Sequence, residues 1–328
     1  MKTWYVTVAA ILLSVIILVI IGSVSHIDPT VIFAIAPAFL LGAVATVVAR
    51  IILTGFRFNY IIRAFSKRDY PFFESLIIRF ASEFVALTSA AYVGGEVIRA
   101  AWLAKKGEAS GKALWLPYIE IVFDVYAGNF IALSAGLYAL FRGDLFLGGL
   151  ITAVSLAVLV FVTAVVLLSR KGLIHVPSFF KAPLRWAVGE ARAQRLVDKG
   201  NLFLEEFCEA ATLTFTRGNS FKLFVVGLYT LATVILTAAT LWFVALGLGL
   251  NVSFVDAALL VYGAIVLGNL PITLGGSGLA EAGAYFYATN VLGVSSWPMV
   301  FAWRILSYHL VLLITGVCAF EALRKYVR

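Results

Sequence analysis

Gly94-Gly95-Glu96-Val97-Ile98-Arg99 and Gly275-Gly276-Ser277-Gly278-Leu279-Ala280-Glu281 decide how this chain is read. Each sets helix-breaking glycines beside ionisable side chains, inside a stretch otherwise apolar enough to lie in a bilayer. Charge at that depth is costly and marks a functional position by default. Paired glycine interruptions in two halves of a hydrophobic chain point to a site built from broken helices.

The surrounding composition agrees. Of 328 residues, 62% are hydrophobic and 13% charged. That is too little polar surface to cover a soluble globule, so the chain is expected to be an all-α integral membrane protein. The net charge of +8 does not point to nucleic acid, because the basic residues occupy short segments between apolar runs, where they orient helices and meet anionic head groups. Cys208 and Cys318 fall in unlike surroundings, a polar connector and an apolar span, and are expected to be free thiols.

Six spans are expected, at 4–24, 31–53, 113–141, 145–168, 221–248 and 298–323. The first is too long for the core of a cleaved signal. Residues 56–68, with basic and apolar positions at helical spacing, are expected to lie along the inner interface. The stretch 71–98 is apolar but holds Glu74, Arg79, Glu83 and Glu96, and both its ends look cytoplasmic. A re-entrant hairpin satisfies that, with two full spans as the alternative. Residues 255–290 repeat the pattern of arm, glycine-rich break and arm from the outer side. Residues 169–219 form a polar connector with an amphipathic run at 190–216. Most of the twenty-five Lys and Arg then fall on one side, which places both termini in the cytoplasm of a multi-pass plasma-membrane protein. The chain divides into inverted halves, 1–141 and 145–328, within a single membrane domain. Such a repeat permits alternating access to a midplane site.

Several residues could carry chemistry there. A helix opening after Gly94-Gly95 would aim its positive end at an anion. Arg99, one turn on, could grip a phosphate bidentately, while Glu96 could instead cap that helix. Glu120 and Asp124 share one helical face and read as a cation ligand, a proton-coupling pair, or partners for Arg99 or Arg304. In the second half, Ser277 or Gly278 is expected to cap a helix carrying Glu281 in its first turn. Arg304 lies two turns into the last span, and His309 is expected to be a hydrogen-bonded core residue. No metal-ligand spacing and no nucleotide-binding motif is present, so no cofactor is expected.

With these residues in place, a family resemblance becomes usable. Val93-Gly94-Gly95-Glu96-Val97-Ile98-Arg99-Ala100, a short basic linker and Glu120-x-x-x-Asp124 resemble the first motif block of the lysylphosphatidylglycerol synthase transmembrane-region family, the flippase-like proteins. Leu274 to Ala282, followed by Leu292-Gly293-Val294 and Arg304, resembles the second. The resemblance implies a lipid translocase fold with re-entrant helices, in which Glu96, Arg99, Glu120, Asp124, Glu281 and Arg304 occupy family positions and, with Gly94, Gly95, Gly275, Gly276, Ser277 and Gly278, form the substrate site. Ile121 and Ala280 stand where members often carry basic residues. Without the soluble aminoacyl-transferase domain of two-part members, the chain is expected not to synthesise lysyl-lipid.

The function expected is therefore movement of a phosphate-containing lipid, whether a phospholipid, an aminoacylated phospholipid or a polyprenyl-phosphate-linked carrier. An intramembrane head-group or glycosyl transferase using Glu120 and Asp124 is the alternative, and a structural membrane subunit a further one. Membrane lipids are the partners expected, with a second copy of the chain and a separate lipid-modifying enzyme as further candidates.

Overall fold

A computed structural model describes residues 29–89, 94–177, 181–270, 272, 276, 278–294 and 297–325. Regular structure among them is helical throughout. After a short 3-10 turn, Pro29–Ala34, come α1 (Pro37–Phe65), α2 (Phe72–Leu87), α3 (Gly95–Lys105), α4 (Ser110–Phe141) and α5 (Leu145–Arg170). The connector holds α6 (Lys181–Val188) and α7 (Glu190–Thr214), and α8 (Ser220–Gly247) and α9 (Phe254–Gly268) follow. The chain then runs through α10 (Leu279–Phe286), a π-helical turn (Tyr287–Val291), α11 (Trp297–Arg304), a second π-helical turn (Ile305–Leu310) and α12 (Val311–Lys325).

Five helices are long and apolar enough to cross a membrane: Pro37–Phe65, Ser110–Phe141, Leu145–Arg170, Arg217–Gly247 and Trp297–Ala322. They match the second to sixth expected spans. The first, 4–24, lies outside the described residues, as do Gly275 and Ser277 of the second glycine break.

One expectation is corrected here. Residues 56–68 do not form a separate interfacial helix, because α1 continues without a break through Thr54-Gly55 to Phe65. Gly55 is a packing residue, not a breaker: a Cβ at that position would lie 2.8 Å from the Leu76 side chain and 2.9 Å from the Phe80 ring. The bare backbone lets α2 lie against α1, and Arg57, Phe58, Asn59, Ile61 and Ile62 are buried as a result.

The two stretches read from their glycine breaks consist of short helices. α2 has 16 residues and α3 has 11, each less than the roughly 20 a crossing requires. Their backbones touch. A Cβ on Gly95 would lie 2.5 Å from the Ser82 carbonyl oxygen, so only glycine lets α3 start this close to α2. Gly94 enters α3 at φ +128°, a left-handed conformation that costs glycine little. Glu74 ties the far ends together, accepting a hydrogen bond from Trp102 Nε1 at 2.7 Å and pairing with Lys106 at 2.9 Å.

The connector is not a domain of its own. Buried Ala193, Val197, Phe207, Ala211 and Thr214 line one face of α7, the spacing of an amphipathic helix. That face docks on the start of α4, where Trp115 meets Phe207 edge-on at 5.0 Å and donates to Thr214 Oγ1 at 2.8 Å. Cys208 and Cys318 are both free.

Halves of the chain do not fold side by side. α1 packs along α8, and α2 packs along α12, so each half supplies walls to the other.

Candidate functional site

Glu120 is the centre of the site. Its side chain is 2% exposed, so its charge must be met by protein groups. Three arginines from three helices meet it. Arg57 Nε of α1 donates to Oε1 at 3.0 Å, Arg99 of α3 forms a close ion pair with Oε2, and Arg79 Nε of α2 lies 3.3 Å from Oε2. Arg57 reaches further along α4, placing its two terminal nitrogens 2.5 and 2.7 Å from the carboxylate oxygens of Asp124, and it also donates to Thr230 of α8. The fork geometry of guanidinium makes this bidentate grip possible. Glu120 and Asp124 share a helical face, as their spacing requires, and Asp124 remains about half exposed.

The network extends outward through Glu83, which takes Arg79 at 2.7 Å and Arg50 at 3.4 Å, and through Glu96, which takes Arg99 at 3.2 Å. Four arginines thus face four carboxylates. The sum is neutral, but the hydrogen bonding is not complete: Arg79 Nε is close to Glu120 without hydrogen-bond geometry, and Arg99 Nε is buried without an acceptor among the described residues. A buried donor left in this state costs about 1–3 kcal/mol unless something fills it.

The second break repeats the arrangement on a smaller scale. Gly278, at φ +88°, precedes α10, and its N–H is accepted by Glu281 Oε2 at 2.7 Å. Gly94 N–H is accepted by Glu96 Oε2 at 3.3 Å in the same manner. Each acid therefore caps its own helix and also holds an arginine, Glu96 with Arg99 and Glu281 with Arg304 Nε at 2.7 Å. Arg304 also stacks over the Tyr308 ring at 4.5 Å. Tyr308 in turn donates to the Leu87 carbonyl at 3.0 Å, which joins the last helix to the end of α2. His309 Nδ1 lies 3.2 Å from the Arg304 carbonyl, the core role expected of it.

A cavity of about 320 Å³ lies between the first break and residues 303–308 of the last helical segment, and Gly276 and Gly278 are not in its wall. Its polar wall includes Glu96, Arg99, Glu120, Asp124 and Arg304, and Val47, Ala86, Leu87, Ile121 and Trp303 make much of the rest. Beyond Arg50, Glu83 and Asp124 a second hollow of about 270 Å³ continues toward Asn129 and Tyr262. Gly95 lines the first cavity, and Glu281 meets it through Arg304. The structure thus gathers the candidate side chains from both halves around one space. It also decides the partner of the Glu120–Asp124 face: that face holds Arg57, Arg79 and Arg99, while Arg304 belongs to Glu281.

Arg57 is the residue that sequence reasoning misses. It stands among Arg63, Lys67 and Arg68 and looks like one more interfacial charge. The available signal was its spacing from Arg50, seven residues and close to two turns, which puts both on one face of an unbroken helix. Arg79 and Glu83 were visible as charges within an apolar run, but nothing local assigned them to Glu120.

Among the described residues, no group of three or more His, Cys, Asp or Glu is placed to hold a metal ion. Long apolar helices around an ion-paired internal cavity define a multi-pass membrane protein with a polar site inside its helical bundle. The chain belongs to the lysylphosphatidylglycerol synthase transmembrane-region family, whose profile matches residues 5–316. This makes it a membrane protein of lipid metabolism or transport. No individually curated protein matches the chain.

Proposed function

We propose that this chain is a lipid translocase that moves a phosphate-bearing lipid across the plasma membrane without changing its covalent structure. The observation that carries the reading is that four arginines, Arg50, Arg79, Arg99 and Arg304, line one amphipathic cavity. A phosphate diester supplies acceptor oxygens of the right charge, and guanidinium groups bind such oxygens in pairs. The apolar part of the wall accommodates the start of the acyl chains. A cationic portion of a head group, as in an aminoacylated phospholipid, would face Asp124 and Glu96.

The short helix pairs α2–α3 and α9–α10 act as re-entrant arms, entering from the inner and outer side respectively. The inverted halves 1–141 and 145–328 then rock around the cavity, with both termini cytoplasmic. Neutrality of the resident network matters to this mechanism. A phosphate must replace a carboxylate on at least one arginine, and the released carboxylate is then free to take a proton or a head-group amine. The substrate lipid comes from the bilayer itself or from a separate lipid-modifying enzyme, and a second copy of the chain is a candidate partner.

The test is reconstitution of the full chain into vesicles carrying a head-group-labelled phospholipid in one leaflet. Accelerated exchange between leaflets is expected, and it should vanish in Arg99→Ala while that variant still folds. Unchanged exchange together with a new lipid species in mass spectra would replace translocation with a transferase activity. Neither effect would leave a structural role.

A further inference from the structure

The basic end of the molecule contains a second cavity, separate from the ion-paired site. It measures about 760 Å³ and opens between the end of α1, the start of α4, α7 and the start of α8. Its charged lining consists of Arg63, Lys67, Lys112 and Lys222 against Glu206 and Glu209. Two of these six charges are already engaged, Lys112 by Glu108 at 3.1 Å and Glu206 by the Gly111 N–H at 2.9 Å. Arg63, Lys67 and Lys222 have no carboxylate partner among the described residues. Lys222 Nζ is held in position by the Ala64 carbonyl at 2.9 Å and the face of Phe65 at 5.6 Å, so its charge is fixed without being neutralised. α8 begins here without a capping side chain and adds the positive end of a helix, whereas the start of α4 is met by Glu206.

A third cavity, about 560 Å³, adjoins the second and shares Arg63, Ala64 and Lys222 with it. Its wall is aromatic, formed by Phe56, Tyr60, Phe72 and Tyr229, with the Tyr60 and Tyr229 rings 6.0 Å apart. Arg63 and Lys222 therefore stand at the junction of a cationic pocket and an apolar groove that runs up the α1–α8 seam. A soluble anion has use only for the pocket, whereas a phospholipid has use for both.

We propose that this junction is a binding site for one anionic phospholipid, with its phosphate between Arg63 and Lys222 and an acyl chain along the Tyr60–Tyr229 groove. The lipid would stay bound at the α1–α8 seam, and the inference does not depend on whether the central cavity transports anything. Basic side chains close to an anionic leaflet add to lipid binding, and fixing one of them against a carbonyl makes the contact specific to a position.

The experiment uses the full chain in neutral detergent, with native mass spectrometry and thermal unfolding as readouts. Phosphatidylglycerol, phosphatidylcholine and inorganic phosphate are the three probes. Phosphatidylglycerol should bind and raise Tm, phosphatidylcholine should bind more weakly, and inorganic phosphate should leave Tm unchanged. The double substitution Arg63→Gln with Lys222→Gln should weaken phosphatidylglycerol binding by about tenfold or more. Because Lys222 also holds the end of α1, Arg63→Gln alone is the safeguard: Arg63 is exposed and unpaired, so this variant should fold normally and still lose part of the effect. Arg195→Gln with Lys199→Gln removes two exposed connector charges and should change nothing. Undiminished binding in folded variants at Arg63 and Lys222 would overturn the proposal. So would equal losses in the connector variant, or stabilisation by inorganic phosphate as large as that by phosphatidylglycerol.

Discussion

The two glycine breaks use the same local device and reach different electrostatic ends. In both, a left-handed glycine turns the chain into a short helix, and an acid in the first turn caps that helix while holding an arginine. At the second break the acid and its arginine, Glu281 and Arg304, come from the same half of the chain. At the first break the arginine is shared with Glu120, which also draws Arg57 and Arg79 from two other helices. The difference lies in where the acid's neighbours come from. Glu281 and Arg304 lie 23 residues apart in one half, whereas Glu120 collects groups from α1, α2 and α3 and so makes the packing of four helices depend on one carboxylate.

Removing that carboxylate should have the largest effect. Glu120→Ala leaves three buried arginines without their common partner, and breaking a buried pair costs about 3–5 kcal/mol. Glu281→Ala removes the carboxylate from one arginine, which keeps its stacking on Tyr308, and should cost less. Thermal unfolding of both variants in detergent compares them, and an equal loss would show that the first cluster is no more interdependent than the second.

Arginine-to-lysine changes sharpen the same contrast through function. Arg99→Lys and Arg304→Lys keep the charge and lose the planar fork, so lipid exchange should fall while folding persists. The loss of one charge-assisted contact, about 1.5–3 kcal/mol, corresponds to roughly ten- to hundredfold in lipid affinity. Alanine at either position should abolish exchange. If both alanine variants fold and still move lipid at the parent rate, the central cavity is not the transport site.

The glycines themselves should separate by mechanism. Gly95→Ala drives a methyl into the Ser82 carbonyl and should push α3 from α2, at about 1–3 kcal/mol. Gly278→Ala meets no atom of the described residues within 4 Å and bears the left-handed backbone penalty, about 1–2 kcal/mol. Distances between probes on α2 and α3 should lengthen only in the first variant.

The smallest effect is one of pH. Glu108 sits in the turn between α3 and α4 and accepts hydrogen bonds from Ser66, from Tyr70 at 2.7 Å and from Lys112, with Lys112 3.1 Å away. Burial by itself would raise its pKa, but those donors and the lysine charge hold it below the ordinary 4.5. A depressed carboxyl contributes stability that is complete above the unfolded value and is lost as pH falls through the folded one. Stability should therefore drop more steeply below about pH 4.5 in the parent than in Glu108→Gln, as pH-dependent thermal unfolding would show.

Hydropathy made five spans legible, because about 20 apolar residues in a row admit few other structures. The glycine breaks were legible for a similar reason, since glycine beside charge has no place in an ordinary span. Partners were harder to see. Arg57 finds Glu120 across 63 residues, and pairing at that range depends on how α1 crosses α4, which no local pattern encodes. Residues 56–68 misled in the other direction, since basic and apolar positions at helical spacing fit an interfacial helix as well as the buried end of a span, until Phe80 is seen resting on Gly55. Arg304 was legible as a charge inside the last span, but it pairs with Glu281 and not with the Glu120–Asp124 face offered as its partner.

The packing of α2 along α12 has a consequence for biosynthesis. The first break and its charges are complete in sequence by Lys105, yet the helix that walls α2, and the Tyr308 hydroxyl that fastens Leu87, come about 200 residues later. At about 5–20 residues per second, a ribosome takes roughly 10–40 s to deliver them. During that interval the half-made protein carries Arg79, Glu83 and Glu96 without their final shelter, so insertion machinery or a neighbouring chain must tolerate these charges on short helices until the last helix arrives.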